Sequence, residues 1–310
     1  MEPNQYQTAP PRPWFERNGF APWVVAFVWV ILSFILFQFA GLLFSVLGIW
    51  INPDIELNAQ AMERIGEQMG MLFWANTMSQ ILVLGVGTWY FARLSVQPHR
   101  QREFFRFKAP GGALTIGALT IVVIIVMQPI IWLLTWLNMQ IPVPETLSAF
   151  EQDQMDMIEN FLTGDHLLML TLIHVALVPA VCEEVLYRGY ILRLLERSWG
   201  VWAAIIMCGV IFGLYHLRIT QFVPLAVIGI LLAWVTIKSG SIIPAIIGHF
   251  FNNAGSVIAA SVRPELMFEE EITAELPSVN LVLISIVMTA TVCFLIHNIA
   301  KTSTPKEGPL

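Results

Sequence analysis

Long apolar segments, separated by short charged ones, constrain this chain more than any other feature. They fall at about 22–50, 70–93, 112–139, 166–192, 200–217, 221–237, 240–262 and 278–300. A helix needs roughly 20 apolar residues to cross a bilayer. Within lipid a helix also satisfies every backbone N–H and C=O inside its own segment. The pattern predicts an all-α, polytopic membrane bundle of about eight transmembrane helices. Charged residues make up 12% of the chain and hydrophobic ones 56%, whereas a soluble domain carries about 25% charge. The net charge of −6 and the lack of a basic tract argue against a nucleic-acid partner. Cys182, Cys208 and Cys293 all lie within apolar runs and read as small buried hydrophobes, not as disulfide or metal ligands.

The loops supply orientation. Segments 51–69, 140–165 and 263–277 are acidic, and thirteen of the sixteen Lys and Arg residues fall on the opposite side, leaving Arg64, Arg218 and Arg263. Positive charge flanks the cytoplasmic ends of membrane helices, so both termini are expected in the cytoplasm. Residues 1–21 and 301–310 read as flexible cytoplasmic tails around a single membrane domain, 22–300. The first twenty residues hold no apolar core, so no cleavable signal peptide is read. Short tails without a sorting signal fit a bacterial plasma membrane.

Ionisable groups inside a span are costly and mark function by default. The fourth segment contains Cys182-Glu183-Glu184-Val185-Leu186-Tyr187-Arg188. Glu184 and Arg188 are one helical turn apart and can pair on one face. Glu183 points about 100° away and has no partner on its own helix, so a carboxylate in an apolar pocket is available as a general base. The fifth segment ends Phe212-Gly213-Leu214-Tyr215-His216. With a hairpin turn at Ser198-Trp199-Gly200, Glu183 and His216 each lie roughly 24 Å from that turn and face each other at one depth. This requires the fourth helix to run on to about Arg197. In the seventh segment His249 and Asn253 share a face, and their N–H groups can act as oxyanion donors. Structural alternatives stand beside each reading: a charge network for the glutamates, a packing residue for His216, an interhelical contact for His249 and Asn253. His174 lies about half a helical turn away from Glu183 and is expected to face away. Asn76, Gln80 and Gln128 read as packing contacts. Substrate access is expected laterally from lipid or from the cytoplasmic face.

Taken in order on successive hydrophobic segments, Glu183-Glu184-x-x-x-Arg188, Phe212-x-x-x-His216 and His249-x-x-x-Asn253 resemble the CPBP family. This family comprises type II CAAX prenyl endopeptidases and bacteriocin-processing or bacteriocin-immunity proteins. The motif-bearing core is about 166–262. The resemblance implies a helical membrane bundle around an intramembrane polar cavity, in which Glu183 activates water and His216 helps to hold it. His249 and Asn253 would form the oxyanion hole, with Glu184, Arg188 and Phe212 supporting the site. It implies an intramembrane glutamic-type endopeptidase that needs no cofactor, acting on a peptide or protein substrate, prenylated or membrane-embedded. Two alternatives remain: a zinc protease using Glu183, His216 and His249, and a non-proteolytic membrane protein, either a proton-coupled carrier or a bacteriocin-immunity scaffold.

Overall fold

Each apolar segment folds as a helix. The computed structural model describes residues 12–51, 69–164, 167–264 and 275–303, and every regular element among them is helical. The helices are α1 (Pro22–Ile51), α2 (Gly70–Leu94), α3 (Ala113–Val126), α4 (Gln128–Met139), α5 (Glu145–Thr163), α6 (Leu168–Trp199), α7 (Val201–Tyr215), α8 (Phe222–Ser239), α9 (Ile243–Val262) and α10 (Val279–Ser303). Six are long and apolar enough to cross a bilayer: α1, α2, α6, α8, α9 and α10. The pair α3–α4, bent by 51°, is apolar enough to make a seventh if its two halves cross as one. The bend falls next to Pro129, whose ring clashes with the preceding turn and removes a backbone donor. The remaining apolar segment, α7, has 15 residues, fewer than a straight crossing needs. The expected tail residues 1–11 and 304–310, with Arg64, Asp165, His166 and all acidic residues of 52–68 and 265–274, lie outside the described residues.

Lipid and protein faces separate clearly. On α1 a narrow stripe, including Ala26, Trp29, Ser33 and Ala40, is buried. The large side chains of Ile31, Phe39, Leu42 and Leu43 point outward. Such a surface would aggregate in water and is what lipid solvates. At the centre, α6 buries Leu186, Tyr187, Arg188, Tyr190, Ile191, Leu192 and Leu195 almost completely. The short α7 is held against α8 by facing glycines. A Cβ on Gly209 would sit 2.5 Å from Ile230 Cγ1, and one on Gly229 would sit 2.9 Å from the Gly209 Cα. Small residues let helix backbones approach where packing, not water exclusion, drives association.

Two ends of the bundle are distinct. At one, the Trp23 amide donates to Ser198 Oγ (3.0 Å), Arg106 pairs with Glu196 (3.0 Å), Arg193 donates to the Phe104 carbonyl (3.0 Å) and the Ile242 amide to the Arg106 carbonyl (3.1 Å). A helical turn at Trp14–Arg17 packs Phe15 on Phe91 at this end. At the other end lies α5, where the sequence suggested a loop. Its acidic residues masked an amphipathic repeat: Ile158, Phe161 and Leu162 pack against Phe73, Leu172, Val175 and Val257. The Glu151 carboxylate then anchors α5, accepting from the Ile219 amide (2.6 Å), the Thr220 amide (3.1 Å) and Thr220 Oγ1 (2.5 Å).

Candidate active site

The site is built on α6, which runs unbroken to Trp199 before Gly200 turns the chain at a φ of +78°. The helix thus continues as far as the hairpin geometry required. It is not uniformly α-helical. Wider π turns at Leu172–Leu177 and Val185–Ile191 bracket Val178–Glu184, and such distortions are frequent at functional sites.

Glu184 and Arg188 have no exposed side-chain surface, and their nearest atoms are 2.6 Å apart. Arg188 also donates to the Gly229 carbonyl at 2.9 Å, which ties the ion pair to the close α7–α8 contact. Its guanidinium lies 4.8 Å from the Phe212 ring centroid, within cation–π range. The same Glu184 oxygen is 2.9 Å from His249 Nδ1. A carboxylate paired with arginine can only accept, so Nδ1 carries the proton and Nε2 is turned away from Glu184. Nε2 comes within 3.9 Å of Glu183 Oε2, too far for a hydrogen bond. Glu183 Oε2 has no hydrogen-bond partner.

Glu183 lines a cavity of about 410 Å³ together with His216 and Asn253. Sequence reasoning therefore brought together residues that share one space. His216 Nδ1 is 2.7 Å from the Phe212 carbonyl, a pure acceptor, so the ring is fixed with Nε2 as its free acceptor. Asn253 donates one amide N–H to the Val175 carbonyl at 3.1 Å, leaving the second. His249 does not line the cavity and sits behind Glu183, against Glu184 and edge-on to Phe212.

Three further polar residues border this space. Asn76, Gln80 and His174 line the same cavity as Glu183, and His174 Nδ1 is 2.7 Å from Thr77 Oγ1. The expectation that His174 faces away assumed uniform α-helical rotation. The π turn at Leu172–Leu177 rotates less per residue and swings His174 round towards the Glu183 side. The sequence signal beside that turn is Pro179, which has no N–H for the Val175 carbonyl one turn earlier. The cavity also lies at the α5 end, where Gln154, Met157, Ile158 and Leu162 complete its wall, not at the end carrying the basic residues. Among the described residues no three His, Cys, Asp or Glu side chains converge as metal ligands.

No curated protein and no solved structure matches the chain. Residues 165–255, the stretch that holds Glu183, Glu184, Arg188, Phe212, His216, His249 and Asn253, match the family model described as Type II CAAX prenyl endopeptidase Rce1-like, in agreement with the family that the motifs resemble.

Proposed function

We propose that the protein is an intramembrane endopeptidase in which Glu183 activates water for attack on a peptide carbonyl. The family match supports CAAX-type endopeptidase activity in general. One observation carries the finer reading: Glu183 lines the cavity shared with His216 and Asn253 and keeps a carboxylate oxygen without a partner, while the adjacent Glu184 lies off that cavity, fully buried, with one oxygen held by both Arg188 and His249. Two neighbouring carboxylates thus have separate tasks, one structural and one chemical.

In the proposed reaction, water bonds to Glu183 and to the free Nε2 of His216. Glu183 accepts a proton as the water oxygen attacks the scissile carbonyl. The tetrahedral oxyanion is stabilised by the second Asn253 N–H, and His249, held by Glu184 behind Glu183, positions the Glu183 carboxylate. Glu183 then returns its proton to the leaving amine as the C–N bond breaks. Glu184 and Arg188 hold His249 in place, and Phe212 packs between the His216 and His249 rings. No metal takes part in this scheme. The test is cleavage of a quenched fluorescent, farnesylated CAAX-type peptide by purified protein. Activity that survives a chelator and vanishes in Glu183→Gln supports the scheme. Activity lost to chelator and restored by zinc would replace it with a metal mechanism.

A further inference from the structure

The membrane side from which the cavity is reached can be read from its place between the two ends. Every stretch lining it lies toward the acidic end. Leu72, Phe73, Asn76 and Gln80 belong to the first half of α2, and His174 and Glu183 to the first half of α6. His216 follows the last residue of α7, and α5 supplies the outer wall. Helix α5 itself carries Glu145, Glu151, Asp153, Asp156 and Glu159 and no Lys or Arg. The other end gathers the basic residues. Of the thirteen assigned there, Arg188 is buried in its ion pair, which leaves twelve against Arg64, Arg218 and Arg263. Such a bias marks the cytoplasmic side.

Along α6 the way from the basic end is filled by side chains. Glu183 lies sixteen residues from Trp199, roughly 24 Å along the helix. Leu186, Tyr187, Tyr190, Ile191, Leu194 and Leu195 fill that length with at most 2% exposure. Two cavities reach basic residues, one lined by Arg12, Arg100 and Arg197 among others and one running from Arg102 and Phe107 to Cys182 and Val185, and neither includes Glu183, His216 or Asn253.

We infer that the active-site cavity opens to the extracytoplasmic face and that its substrate is a peptide segment of a membrane-anchored or exported protein presented from that face, not a cytoplasmic C-terminal tail. The chemistry rests on the endopeptidase reading; the sidedness does not, and the experiment separates the two. Asp153→Cys on α5 and Lys301→Cys at the end of α10 are both exposed positions outside the site. Each is produced in the full-length chain and treated with a membrane-impermeant maleimide on intact bacterial cells, with wild type as the background control. Asp153→Cys should label in intact cells to the level seen after permeabilisation, and Lys301→Cys only after permeabilisation. The reverse pattern would overturn the proposal. In parallel, mass spectrometry of new protein termini compares cells expressing wild type with cells expressing Glu183→Gln. Glu183-dependent cuts in extracytoplasmic segments support the substrate class, and cuts confined to cytoplasmic tails refute it. No Glu183-dependent cut at all would count against the endopeptidase reading, while the labelling would still decide the sidedness.

Discussion

Removing Arg188 alone should destabilise the bundle more than removing Arg188 and Glu184 together. Both side chains are fully enclosed, and Arg188 bonds Glu184 at 2.6 Å and the Gly229 carbonyl at 2.9 Å. Arg188→Met keeps the apolar stem but strands a buried carboxylate, a loss of about 3–5 kcal/mol. Replacing the pair by Met and Leu removes both charges. What remains is the His249 Nδ1–H without its acceptor, at about 1–3 kcal/mol. The double variant should therefore fall well short of the sum of the two single ones, since groups in one network do not add. The assay is reversible unfolding in mixed micelles across the double-mutant cycle. A cost below about 1 kcal/mol for Arg188→Met, or simple additivity, would refute the claim that the pair is dry and coupled. Activity should be lost in all three variants, because each disturbs the support of His249.

Three further outcomes follow from the same geometry. His216→Gln should lower kcat by roughly 10²–10⁴-fold with KM within a few-fold, measured on the farnesylated peptide, because the water loses its second holder and not its binding space. Gly209→Leu should cost about 1–3 kcal/mol or more and reduce the yield of folded protein, because the new side chain meets Ile230 and the Ala226 carbonyl at under 3 Å; Gly70→Ala, with open space at its Cβ and no positive φ, is the control for folded yield. Glu151→Ala removes the acceptor of three hydrogen bonds that fasten α5 to Ile219 and Thr220, so limited proteolysis within 145–163 should accelerate several-fold while the rest of the bundle stays resistant.

The membrane bundle was legible because hydropathy and charge act over long windows. All eight apolar segments are helical, although α7 is too short to span alone and Pro129 bends the third. The constellation was legible because a carboxylate without a partner, in a span with a single arginine, is a local statement about energy. Glu184 and Arg188 pair as their spacing required, and Glu183 and His216 share the cavity that the hairpin argument placed them in. What stayed hidden depends on departures from ideal helices and on tertiary contacts. The π turn before Val178 brings His174 round, and Pro179, which marks a distortion there, does not say by how much the helix rotates. The apolar face of α5 was concealed by five acidic residues, so the wall of the cavity, and with it the side from which substrate arrives, was read as a loop. His249 was expected to donate into the cavity, but Glu184 holds it behind Glu183, a contact between α6 and α9 that spacing within either helix cannot reveal.

The most direct measurement of the central claim is single-turnover peptide cleavage in heavy-oxygen water by reconstituted wild type and Glu183→Gln, with mass spectrometry of both product and enzyme. Water attack assisted by Glu183 predicts heavy oxygen in the new product carboxylate, an unlabelled Glu183 and no product from the variant. Label in the Glu183 side chain, or product formed by Glu183→Gln at the wild-type rate, would contradict it.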